Sequence, residues 1–118
     1  MSQPLFKKVA FIGLGLIGSS LARVIQAGQL AETVVASTRS QKTLDDALAL
    51  GLISAGFNDP IDAVQDADLI VLALPVRATQ KILEIIKPYL SAHTIITDVG
   101  STKGNVVDAA KAVFGEQI

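Results

Sequence analysis

The chain contains no cysteine and no tryptophan among its 118 residues. Without cysteine there is no disulfide, no thiolate nucleophile and no thiolate ligand for a metal. A single histidine, His93, cannot build a metal site with the scattered acids Asp62, Asp66 and Asp68, so no metal is expected. Aromatic residues make up 4% of the chain while half of it is apolar. The core must therefore come from Val, Ile, Leu and Ala, as in parallel strands covered on both faces by helices. Neither sign of charge dominates, and the formal net charge is −1. The basic footprint of a nucleic-acid partner is missing. No apolar run approaches the roughly 20 residues of a membrane helix. Residues 1–8 lack the order of a signal peptide. With no nucleic acid and no membrane as partner, the expectation is one soluble, cytoplasmic α/β domain.

What is present begins at residues 8–18, Lys-Val-Ala-Phe-Ile-Gly-Leu-Gly-Leu-Ile-Gly. An apolar run of β type feeds a G-x-G-x-x-G turn, which feeds a helix-patterned segment. That order is the dinucleotide-binding fingerprint in its proper context. Gly13 allows the tight turn, Gly15 lets a pyrophosphate approach the backbone, and Gly18 lets helix and strand pack closely. Leu16 and Ile17 open the helix, whose first N–H groups and positive dipole end suit phosphate. A turn that only turns is the plainer alternative.

The rest of the chain alternates strand and helix patterns. The first helix is expected over residues 16–27, with Ile17, Leu21, Val24 and Ile25 on one face and Gly28 ending it. A strand over 33–37 precedes an N-cap at Ser40 and a helix over 41–50, with Leu44, Ala47 and Leu48 inward. Gly51 closes that helix, and residues 52–55 read as a weak strand. Asp59 and Pro60 start a short helix ending near Asp66. Residues 68–74 are the clearest buried strand, stopped by Pro75. A helix follows to Lys87 with Thr79, Ile82, Leu83 and Ile86 inward, and Pro88 marks its end. Residues 94–97 form a fifth strand. A last helix carries Val106, Val107, Ala110 and Val113. The alternation predicts a Rossmann-type doubly wound parallel sheet, order 3-2-1-4-5, with helices on both faces. Ligand is expected at the C-terminal ends of strands one and four.

The end of strand two decides the cofactor. Counting about 20 residues on from Gly18 reaches Thr38, where an NAD-binding domain carries an acid for the ribose hydroxyls. Here Ser37, Thr38, Arg39 and Ser40 stand instead, three hydroxyls and a guanidinium that suit a 2′-phosphate. NADP is the expected cofactor, with NAD possible; a solvated arginine beside a helix cap is the alternative. Leu74 and Pro75 end strand four, where their backbone would line the nicotinamide ribose. Arg77 meets an anion or simply faces water. Ser101 and Lys103 follow strand five at the crevice, where Ser101 or Thr102 can also serve as an N-cap. His93 lies before that strand, away from the crevice, and reads as a turn residue. No general base for oxidising an alcohol is evident.

Together, residues 13–22 (GLGLIGSSLA), 67–76 (ADLIVLALPV) and 97–103 (TDVGSTK) resemble the prephenate/arogenate (cyclohexadienyl) dehydrogenase family of tyrosine biosynthesis. The similarity covers essentially the whole chain. The first two motifs are shared with many β-hydroxyacid-type dehydrogenases, whereas D-V-x-S-x-K is more specific. The resemblance implies oxidative decarboxylation of prephenate or arogenate, with hydride passing to a nicotinamide. It implies that Ser101 sits at the substrate hydroxyl and helps orient a catalytic histidine, and that Arg39 holds the 2′-phosphate. Family members continue into a helical domain that makes a homodimer; their catalytic histidine lies beyond the serine loop, and a substrate-binding arginine is expected beyond it too. This chain stops at Ile118, so it is expected to be the cofactor domain of a larger enzyme, inactive by itself. Another NAD(P) reductase, of the hydroxyisobutyrate or pyrroline-carboxylate type, would not be expected to carry the Asp98–Lys103 stretch. A stand-alone dinucleotide-binding module without chemistry is the remaining alternative. In an enzyme carrying the complete family architecture, Ser101→Ala should slow turnover and leave cofactor affinity intact. Unchanged turnover in a steady-state assay would reduce Ser101 to a helix cap.

Overall fold

A computed structural model describes residues 6–91 and 93–99. Strands and helices alternate: β1 (Phe6–Ile12), α1 (Gly15–Ala27), β2 (Ala31–Ser37), α2 (Gln41–Ala49), β3 (Ala55–Phe57), α3 (Pro60–Val64), β4 (Leu69–Leu72), α4 (Val76–Ile86) and β5 (Ile95–Asp98). A 3₁₀ turn at Lys87–Tyr89 follows α4, with Pro88 inside it. Every pairing is parallel. The sheet order is β3-β2-β1-β4-β5, the doubly wound order that the strand–helix alternation predicts.

The strands form because apolar side chains alternate between two covered faces. Val9 and Phe11 of β1, Val34 and Ala36 of β2, and Leu69 and Val71 of β4 point one way, onto Leu21 and Ile25 of α1 and Leu44 and Ala47 of α2. Their neighbours Ala10, Ile12, Val35, Ile70 and Leu72 point the other way, onto Ala63 and Val64 of α3 and Ile86 of α4. Both faces of the centre are thus dry, which is why the strands read as continuous apolar runs rather than alternating ones.

Caps set the helix starts. Ser40 Oγ accepts from Thr43 N–H at 3.2 Å and Asp59 Oδ1 accepts from Ile61 N–H at 2.9 Å, as the sequence predicts for α2 and α3. Pro60 takes the first position of α3.

Several boundaries and faces differ from expectation. The third strand is Ala55–Phe57, not 52–55. Leu52 and Ile53 are both buried in a loop that plugs the core, and consecutive residues of a strand cannot both face one side. Ladder pairing begins only at Ala55 opposite Val35. Gly28 does end α1 as its C-cap, as expected, but at φ −87°; the left-handed residue is Gln29 (φ 52°), one position further on. Val24 and Leu48, expected inward, are 39% and 42% exposed, because the buried stripes of α1 and α2 are narrower than the apolar spacing suggests. The last helix, with Gly100, Ser101, Thr102 and Lys103, lies outside the described residues.

Leu44→Ala should lower stability by about 2–5 kcal/mol, the range for a buried leucine truncated in a packed core. Leu48→Ala, on the same helix, should cost less than about 1 kcal/mol. Urea unfolding of the two variants measures the difference; equal losses would return Leu48 to the core.

Candidate nucleotide-binding site

Three strands end level. Ile12 pairs with Ser37 on one side and Leu72 on the other. One step further, Gly13 N–H donates to Ser37 O at 2.8 Å and Ala73 N–H donates to Ile12 O at 2.9 Å. The chain then leaves the sheet in opposite directions on its two faces, and a crevice opens between the departures.

Gly13 turns the backbone at φ +79°, and a Cβ there would fall 2.7 Å from the Ala73 carbonyl oxygen and 2.6 Å from Leu74 Cδ2. Only glycine fits. Gly15 starts α1 at φ +54°, and a Cβ built on it meets nothing within 4 Å. Among the described residues, nothing crowds its bare backbone. Gly18 is buried, with its Cβ position 3.1 Å from Ala73 Cβ. No side chain caps α1 at Leu14, and no acid stands in its first turn. The first N–H groups of the helix, including those of Leu16 and Ile17, lack an intrahelical partner. α2 and α3 do have side-chain caps. An uncapped helix start beside an open glycine is a cradle for an anion such as pyrophosphate.

The loop after β2 is held from two sides. Thr38 N–H donates to Phe57 O at 3.1 Å, and Asn58 Nδ2 donates to Thr38 O at 3.1 Å. Ser40 N–H donates to Thr38 Oγ1 at 3.3 Å. Ser37 is 3% exposed. Arg39 is exposed, and no hydrogen bond or ion pair involves it among the described residues.

A cleft of about 440 Å³ joins these pieces. Its floor is Ile12 and Gly13, and one rim is Ser37, Thr38 and Arg39. Asn58 and Pro60 of the β3–α3 turn close one side. Leu74 and the α4 row Ala78, Lys81, Ile82 and Ile85 close the other. Apolar walls with a cationic rim suit a heterocyclic base and its phosphorylated ribose.

Of the residues singled out in the sequence, Gly13, Ser37, Thr38, Arg39 and Leu74 line this cleft. Gly15 and Gly18 belong to the adjacent turn into α1. Ser40 spends its hydroxyl capping α2, and Pro75 serves as the N-cap position of α4; neither is among the described lining. The Ser101 site and the Arg77 side chain lie outside the described residues. His93 is exposed in the turn before β5, at the far end of the sheet, where its N–H donates to Ser91 Oγ. No cluster of three or more metal-ligating side chains occurs among the described residues, and no helix among them is long and apolar enough to cross a membrane.

The pattern of the prephenate dehydrogenase nucleotide-binding domain matches residues 21–118. The chain belongs to that family. It is 43% identical over 102 residues to a cyclohexadienyl dehydrogenase of Zymomonas mobilis, covering 86% of this chain and 35% of that protein. Among solved structures it resembles prephenate dehydrogenase of A. aeolicus in complex with hydroxyphenyl propionate and NAD+ (TM-score 0.74, 26% identity, 98% of this chain and 40% of that one). Synechocystis arogenate dehydrogenase is similar too (TM-score 0.72, 31% identity, 91% of this chain and 37% of that one). The chain thus spans about a third of the length of its relatives.

Apart from Leu74, sequence reasoning missed the apolar walls of this prephenate dehydrogenase domain's cleft and two of its polar residues, Asn58 and Lys81. Asn58 reads as part of a helix start, yet it also ties down Thr38. Lys81 carries no motif; its signal is the spacing of 78, 81, 82 and 85, which places one lysine in an apolar row.

The two turn glycines separate fold from binding. Gly15→Ala should cost only about 1–2 kcal/mol of stability, for a side chain at positive φ with free space around it. Gly13→Ala adds a clash with the Ala73 carbonyl and should cost more. Dinucleotide affinity of the folded Gly15→Ala chain should fall, as measured by titration calorimetry. Unaltered affinity would remove Gly15 from the pyrophosphate cradle.

Proposed function

We propose that this chain is the cofactor-binding part of a longer, homodimeric prephenate or arogenate dehydrogenase of the cytoplasm, and that it prefers NADP+ over NAD+. The length of the relatives supports the first point. A single observation carries the second: Arg39 stands on the cleft rim beside Ser37 and Thr38, and no carboxylate lines that cleft among the described residues. A carboxylate there would repel a 2′-phosphate, whereas a guanidinium attracts it and presents paired N–H donors.

The bound nicotinamide dinucleotide supplies the hydride acceptor for oxidative decarboxylation. This chain's residues bind and orient. The α1 N-terminus and Gly15 receive the pyrophosphate, while Asn58 and Phe57 fix the loop that carries Arg39. Pro60, Ile82 and Ile85 exclude water from the base. Ser101 orients the substrate hydroxyl, and the proton-accepting histidine belongs to the remainder of the enzyme.

Calorimetric titration with each cofactor tests the preference. Arg39→Ala should weaken NADP+ binding by about 1–3 kcal/mol, the scale of a lost charge-assisted contact. NAD+ binding should hardly change. Equal losses for the two cofactors would remove the 2′-phosphate role of Arg39, and a wild-type preference for NAD+ would overturn the NADP assignment.

A further inference from the structure

Helix α4 packs on the sheet through Thr79 and Ile86, both buried. The row it turns to the cleft is Ala78, Lys81, Ile82 and Ile85, spaced by three and four residues and so sharing one face. Three members are apolar and one is a cation. Lys81 is exposed, and Glu84, one helical turn on, makes no ion pair with it; the ion pair found among the described residues is Lys42–Asp46, 3.6 Å. Across the cleft stands Arg39, also unpaired among the described residues, and no acid lines the space between the two elements. Among the described residues, two cations therefore line one cleft that no carboxylate lines, and an anion entering it is attracted by both.

We infer that Lys81 is a second cation of the 2′-phosphate subsite, meeting from α4 the same phosphate monoester that Arg39 meets from the β2 loop. A phosphate monoester carries about −1.5 to −2 charges near neutral pH and so matches two cations, whereas a free ribose 2′-hydroxyl offers no charge to either. Lysine suits the position because its flexible aliphatic stem lies along the apolar row while the ammonium moves to the anion. The inference rests on the NADP reading above.

The test uses 2′,5′-ADP and 5′-ADP as probes, titrated into the full chain and its variants by calorimetry. Lys81→Met keeps the stem and removes the charge. It should weaken 2′,5′-ADP about five- to twentyfold and 5′-ADP less than about twofold, while Lys81→Arg should retain most of the affinity. The thermal midpoint should not move, since Lys81 is exposed. Equal losses for both probes would assign Lys81 to the 5′-phosphates, and no loss for either would take it out of the site; both results overturn the inference. If Lys81→Met keeps the wild-type preference for 2′,5′-ADP and Arg39→Ala loses it, the Lys81 inference fails and the NADP reading stands. If the wild-type chain shows no such preference, both fail.

Discussion

The site depends on one backbone alignment. Ile12 is paired with Ser37 and Leu72 at once, and the ladder runs a single step further through the Gly13 and Ala73 N–H groups. Because β1 is the centre of the sheet and its last four residues are buried, its register cannot slip by one residue without turning Phe11 and Ile12 to the wrong faces. The glycine turn, the loop after β2 and the residues after β4 are consequently brought to one edge of the sheet by burial alone. No contact among the ligand-facing side chains is needed to gather them. Parallel sheets place binding sites at such ends because helices leave there in different directions and keep the space between them open.

What the sequence discloses follows from how each signal arises. The order of the sheet was legible because both faces of the central strands are dry, and a dry strand must be a run of Val, Ile, Leu and Ala. The caps at Ser40 and Asp59 were legible because a hydroxyl or carboxylate before a helix has one local task, and Pro60 confirms the second. The third strand was misplaced because Leu52 and Ile53 look like strand residues, although they serve as a plug beneath the helices. Their burial depends on contacts with distant elements, which no local pattern reports. Val24 and Leu48 failed for a related reason: apolar spacing shows which face a helix turns inward, but not how wide a stripe its neighbours cover.

The candidate site was legible where backbone conformation demanded a residue type. Gly13 must be glycine, since a Cβ would strike the Ala73 carbonyl. The missing acid after β2 was also visible, because its position is set by the distance from the glycine turn. Asn58 and Lys81 were not visible as site residues. Each enters the cleft from an element whose placement is tertiary, one from the turn after β3 and one from the second turn of α4. The Zymomonas relative is a cyclohexadienyl dehydrogenase, and the A. aeolicus relative is a prephenate dehydrogenase in complex with NAD+.

The last residue of β2 and the three that follow it divide their labour unequally. The Ser37 carbonyl completes the central ladder, Thr38 is tied to Phe57, Asn58 and Ser40, and Ser40 caps a helix. Arg39 alone supports nothing in the fold among the described residues. Substitution there leaves these contacts intact, whereas substitution at Thr38 or Ser40 removes a hydrogen bond that holds the loop or the helix start. The position can therefore change without a compensating change in the scaffold.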